Sequence, residues 1–123
     1  MKRLSLKRRA RLAEVQELDR LYRLSHPRCE AFNCAYVSVE IHHMARGIYR
    51  NAALSEPCAW LCLCAYCHAD VHNKGVPLLT QLKWKRLSSD RHKDGTWDLE
   101  RFNELRGRAK GAVTLAEVMG VQL

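Results

Sequence analysis

The spacing of apolar positions along this chain changes from helical to alternating and back again. From about Arg9 to Leu24, the apolar residues Leu12, Val15, Leu18, Leu21 and Tyr22 recur every three or four positions with charged residues between them. That period predicts an amphipathic helix. The triplet Ser25, His26, Pro27 ends it, because the residue before a proline is pushed out of the helical region. YVSVEIH, over 36–42, then alternates, with Val37, Val39 and Ile41 on one side and Ser38, Glu40 and His42 on the other. This predicts a short strand with one buried face that carries His42 on its polar side. AWLCL, over 59–63, is an apolar run of strand type, and CAYCHADVHNKG, over 64–75, predicts a helix stopped by Gly75 and Pro77. Residues 44–57 read as an irregular connection, so the order is strand, loop, strand, helix.

Beyond Pro77 the pattern is helical in pieces. Residues 79–87 form one, and Asp98 caps a second that runs towards Arg106 and stops at Gly107. Thr114 and Glu117 have the capping-box spacing for a last turn before Gly120. The fold class is therefore α+β: a small ββα core with helices on both sides. Residues 1–27 form a basic arm and helix, 28–76 the core, and 77–123 a helical extension, together one globular unit. A core that small is hard to stabilise by apolar burial alone, and a structural metal is the usual remedy.

The chain has 123 residues and a formal net charge of +8. Lys2, Arg3, Lys7, Arg8, Arg9 and Arg11 all precede the first acidic residue, Glu14, and a later run holds Lys83, Lys85, Arg86, Arg91 and Lys93. Clusters of this kind favour polyanionic partners. The N-terminus has no continuous apolar stretch of signal-peptide type, and AWLCLCAY is far short of the roughly 20 apolar residues of a spanning helix. The expectation is a protein of the reducing cytoplasm, with no membrane partner and with thiols bound to metal instead of to each other.

The candidate chemistry lies between residues 29 and 72. Cys29 with Cys34, and Cys64 with Cys67, have gaps suited to two knuckles on one structural zinc. Cys58 and Cys62 are left over as small apolar residues, one in the loop before the second strand and one within it, although either could stand in for one of the four. On a helix, Cys64, Cys67 and Val71 share one stripe, while His68 and His72 share a face about 100° away, so sulfur and imidazole ligands need not mix. Three imidazoles, from His42, His68 and His72, leave a divalent ion with open positions. His43 points the alternate way along the strand and is suited to act as a general base near neutral pH. Arg46 and Arg50, in the following loop, are candidates for holding a phosphate backbone. His26 and His92 read as ordinary surface residues.

VEIHHMARG followed by WLCLCAYCHADVH resembles the HNH endonuclease family, whose fold is the ββα-metal, or His-Me, finger. The resemblance covers about residues 29–75. It implies that His42, His68 and His72 hold a catalytic Mg²⁺, Mn²⁺, Ni²⁺ or Zn²⁺, that His43 activates water, and that Cys29, Cys34, Cys64 and Cys67 hold a structural zinc. It further implies products with 5′-phosphate and 3′-hydroxyl ends and DNA as the partner; the basic residues Lys7, Arg8, Arg9, Arg11, Lys83, Lys85 and Arg86, with Arg46 and Arg50, are the candidates for holding it. Cutting both strands at once would require two copies, which the C-terminal helices could join as a homodimer. Small free-standing members of this type resemble those encoded by bacteriophages. One departure is visible: the asparagine of the family pattern falls on Ala59, and the nearest asparagine upstream is Asn51. A catalytically weak zinc-stabilised DNA-binding module is the alternative that this departure favours. A borrowed protein-interaction domain is a third reading.

Overall fold

The computed structural model describes residues 5–45, 50–107 and 111–123. Its elements, in order, are helix α1 (Leu6–Ser25), strand β1 (Glu40–His43), the short helix α2 (Arg50–Ala53), a 3-10 turn (Pro57–Ala59), strand β2 (Trp60–Leu63), and helices α3 (Ala65–Asn73), α4 (Leu78–His92), α5 (Leu99–Arg106) and α6 (Leu115–Met119). The fold is α+β. β1 and β2 pair antiparallel, with Ile41 opposite Cys62, His42 opposite Leu61 and His43 opposite Trp60. Among the described residues no helix is long and apolar enough to cross a membrane.

Local chemistry explains most boundaries. Ser5 caps α1 by accepting from the Arg8 N–H, Asp98 caps α5 by accepting from the Arg101 N–H, and Thr114 and Glu117 complete a reciprocal capping box on α6. α4 runs on to His92, five residues past its apolar pattern. Its continuation buries Ser88 and Ser89, which a hydrophobic period does not register, and it ends where Lys93 turns left-handed at φ 50°.

The strand expectation needs correction. Of the predicted apolar face only Ile41 is buried, whereas Val37 and Val39 are 70% and 48% exposed. Val37 instead pairs with Arg28 in an isolated bridge, and Ser38 donates to the Pro27 carbonyl, so this part of the chain bends away past the end of β2. The polar face is the reverse surprise, because His42 is buried at 3% exposure, with Gln81 of α4 against it. α3 packs on both strands and α4 brings Gln81 over His42, and strict alternation describes only a sheet whose polar face is wet.

The cysteine-bearing loop is stitched to β2 by the Glu30 N–H, which donates to the Cys62 carbonyl at 2.8 Å. The Glu30 carboxylate is itself buried and accepts from Tyr22 Oη (2.6 Å), the Cys62 N–H (2.8 Å) and Ser88 Oγ (2.7 Å). Lys85 completes the network by donating to Tyr22 Oη at 2.7 Å. Lys85 is fully buried, so it is not a nucleic-acid contact; it is the internal counter-charge that ties α4 to α1. Burial pushes its ammonium below the ordinary lysine value, and the Glu30 carboxylate opposes that shift. His26 is also buried rather than on the surface. Removing one member of such a network strands the others, so Glu30→Ala is expected to destabilise the fold by about 3–5 kcal/mol in a denaturant titration. A change below about 1 kcal/mol would show that the network contributes little.

Candidate metal centres and active site

The four predicted thiols converge. Cys29 and Cys34 come from the loop between α1 and β1, Cys64 is the N-cap of α3, and Cys67 lies in its first turn. All four sulfurs lie within 4.8 Å of one another, with Cys34 and Cys64 Sγ 3.9 Å apart. Two sulfurs on one tetrahedral zinc at ~2.3 Å stand about 3.8 Å apart, so the cluster has the dimensions of a site for an ion such as zinc. Burial pushes the Cys64 thiol up, but hydrogen bonds from the Cys67 N–H and the neighbouring thiols outweigh it and hold Cys64 below the ordinary range. Burial raises Cys29 to about 11 and also raises Cys67. A helix N-terminus that stabilises one thiolate suits a metal whose ligands must be deprotonated. Cys58 and Cys62 are buried elsewhere, in the 3-10 turn and in β2, and are not part of this group.

On the adjacent face of α3, His68 and His72 meet His42 of β1. One ring nitrogen from each lies within 4.8 Å of the other two. Each of two rings is oriented by an outer partner. The Gln81 side-chain N–H donates to the Val76 carbonyl at 2.9 Å, which fixes the amide so that its Oε1 accepts from His42 Nε2 at 2.8 Å. That tautomer puts the His42 lone pair on Nδ1. His68 Nδ1 lies 3.2 Å from the Glu40 carboxylate, which puts its lone pair on Nε2. His68 Nε2 and His72 Nε2 are 3.2 Å apart, close to the ~3.3 Å between two nitrogens on one tetrahedral ion. An outer carboxylate or amide behind each imidazole is the usual support of a metal-binding histidine. The donor set therefore fits one divalent cation.

His43 lines the same pocket of about 550 Å³, together with Glu40, Ile41, His42, Arg50, His68 and His72. Its ring stands edge-on to Trp60, its partner across the sheet, at 6.0 Å and 82°. Burial, reinforced by the Arg50 charge, lowers its basicity below that of an ordinary histidine and favours the neutral ring. Its Nδ1 is buried with no hydrogen-bond partner among the described residues. Ala59 is fully buried, with no side-chain donor or acceptor to offer; its carbonyl instead accepts from the Met44 N–H at 2.8 Å and braces the chain just past His43. Asn51 is exposed on α2, where its carbonyl accepts from Arg11.

The basic residues divide into distinct groups. Lys7, Arg8 and Arg9 are exposed on the first turns of α1, and Arg50 lines the histidine pocket. Arg11 holds the Asn51 carbonyl at 2.6 Å and so secures α2, which carries Arg50. Lys83 donates to the Met119 and Val121 carbonyls and closes the end of α6, and Arg86 lies over the Trp97 ring at 5.8 Å. Lys2, Arg3 and Arg46 lie outside the described residues. Sequence reasoning missed Gln81, Glu40 and Glu30. Only Glu40 carried a local signal, two residues before His42 on the same side of the strand. No family model matches the chain, and neither the curated proteins nor the solved structures give a match.

Proposed function

We propose that this chain is a metal-dependent endonuclease of the HNH type, built on a ββα-metal core, that hydrolyses phosphodiester bonds in DNA. The observation that carries the reading is the convergence of His42, His68 and His72 on one point, with His43 lining the same pocket. A divalent ion held by those three imidazoles would polarise the phosphodiester and stabilise charge that develops on its oxygens. His43 takes the proton from the attacking water, a role that requires its neutral form. Arg50 faces the same pocket and binds a non-bridging phosphate oxygen, which positions the scissile bond. Lys7, Arg8 and Arg9 crowd the N-terminal turn of α1, where the helix dipole already favours anions, and add salt-sensitive affinity for the backbone. Cys29, Cys34, Cys64 and Cys67 would hold a structural zinc, which would tie the start of α3, and so His68 and His72, to the loop before β1.

The test is incubation of supercoiled plasmid with the full chain and Mg²⁺, Mn²⁺, Ni²⁺, Zn²⁺ or EDTA. Nicked or linear product with at least one ion, and none with EDTA, is the expected outcome. The orphaned His43 Nδ1 and the buried Ala59 favour one second reading, a zinc-stabilised DNA-binding module. DNA retention with no cleavage under any ion would select it.

The pH dependence has a definite sign. Because burial and Arg50 lower the His43 pKa, its base form persists to lower pH, and the acidic limb of the cleavage rate should fall below the ordinary ~6.5 of histidine. A cation on the neighbouring imidazoles acts in the same direction. Arg50→Gln removes one repelling charge and should move that limb to higher pH. An unmoved limb would remove Arg50 from the electrostatics of the base.

A further inference from the structure

A third group of ligand-type side chains lies where the end of α1 meets the end of α4. One ring nitrogen each of His26 and His92 and one oxygen of Asp94 lie within 4.8 Å of one another. Each of the three is held from behind. His26 Nδ1 lies 2.8 Å from the Tyr22 carbonyl and must donate to it, because a carbonyl only accepts. His92 Nδ1 stands in the same relation to the Ser88 carbonyl, also at 2.8 Å. Both rings therefore keep Nε2 as the nitrogen available to a cation. Asp94 Oδ1 accepts from Ser89 Oγ (2.8 Å), the Thr96 N–H (2.9 Å) and Thr96 Oγ1 (2.8 Å). That leaves Oδ2 turned to His26 Nε2 at 2.7 Å. Burial works against the charged carboxylate, but the hydrogen bonds from Thr96 and Ser89 and the contact with His26 outweigh it, and Asp94 is ionised.

A carboxylate oxygen and an imidazole lone pair repel at 2.7 Å unless a positive centre sits between them. A proton on His26 would meet that need, but it would give His92 no part, although its ring packs 4.6 Å from that of His26. A metal ion uses all three groups. Two imidazoles anchored through Nδ1 to backbone carbonyls, with a carboxylate fixed through its other oxygen, form the outer-shell arrangement of a metal site. The group is approached from the His92 side, where His92 lines a pocket of about 440 Å³ with Arg28, Arg91, Cys29 and Cys34. The two arginines limit the affinity for a bare cation and suit an anion at the fourth position. His26 and Asp94 need only part from 2.7 Å to about 3.3 Å to bind one ion.

We propose that His26, His92 and Asp94 form a further divalent-cation site, suited to zinc by its two imidazoles and one carboxylate, that clamps the end of α1 to the end of α4. Its ligands are distinct from those of both clusters described above, although His92 shares a pocket with Cys29 and Cys34, and it does not depend on the nuclease reading.

The test uses the full-length His68→Ala/His72→Ala protein, which removes the other histidine site. After equilibrium dialysis against micromolar Zn²⁺, elemental analysis should count two zinc ions per chain, falling to one when His92→Ala is added. Nitrogen NMR of the histidine rings, on protein with His26, His92 and Asp94 intact, supplies a second readout that does not rest on a variant folding. Zinc should shift the Nε2 resonances of His26 and His92 together, with Nδ1 still protonated. An unchanged count on adding His92→Ala, or a His26 ring carrying two protons and indifferent to zinc, would overturn the proposal in favour of an ion pair.

Discussion

His43→Ala is expected to reduce DNA cleavage by about 10²–10⁴-fold while leaving the melting temperature and DNA retention in EDTA nearly unchanged. The structure separates these effects. The His43 imidazole is only partly buried, and its Nδ1 has no hydrogen-bond partner among the described residues, so truncation breaks no internal bond. The space it vacates borders the pocket, not the closed core, and Trp60 beneath it stays held by β2 pairing. The proposed histidine cluster for the ion, with its outer partners Gln81 and Glu40, is untouched. Ion binding should therefore persist while proton removal from water fails. Cleavage by His43→Ala at the wild-type rate would assign the base elsewhere.

The largest effect on stability is expected from Cys64→Ser/Cys67→Ser. The loop carrying Cys29 and Cys34 is held mainly by its own bridge, by the Glu30 contacts and by the sulfur cluster. Structural zinc contributes about 10–16 kcal/mol in small metal-folded units, while a whole domain is stable by only about 5–15 kcal/mol. Losing two thiolates should abolish cooperative thermal unfolding and zinc retention together. It would also free α3, so cleavage should disappear even though no histidine has changed. A cooperative melt of a zinc-free double variant, close to that of the parent, would contradict a structural role for the cluster.

The sequence carried the local features well and the long-range polar ones hardly at all. Helix caps at Asp98 and Thr114, the start of α3 at Cys64 and the separation of thiols from imidazoles around that helix follow from short-range geometry, and the structure reproduces them. Lys85 was legible only as part of a basic run. Its partner Tyr22 lies 63 positions away, and nothing local marks one lysine of α4 as internal. His26 read as a residue at a helix stop for the same reason, since Asp94 is 68 positions distant. The alternation over 36–42 misled because it presumes one dry face. α3 and α4 pack against the strands, and His42 lies buried, with Gln81 of α4 against it. At Ala59 no side chain reaches His43, whose ring stands edge-on to Trp60 and whose Nδ1 has no hydrogen-bond partner among the described residues.

Nuclease activity of this kind requires that His42, His68 and His72 gather around one divalent cation. Titration of Co²⁺ into the zinc-loaded full chain, followed by visible absorption, tests it most directly. Comparison with His68→Ala/His72→Ala should show one Co²⁺ per chain lost in the variant, with the weak bands of nitrogen and oxygen ligation and no intense thiolate charge-transfer band. Equal Co²⁺ uptake by both proteins, or uptake seen only through thiolate bands, would contradict the account.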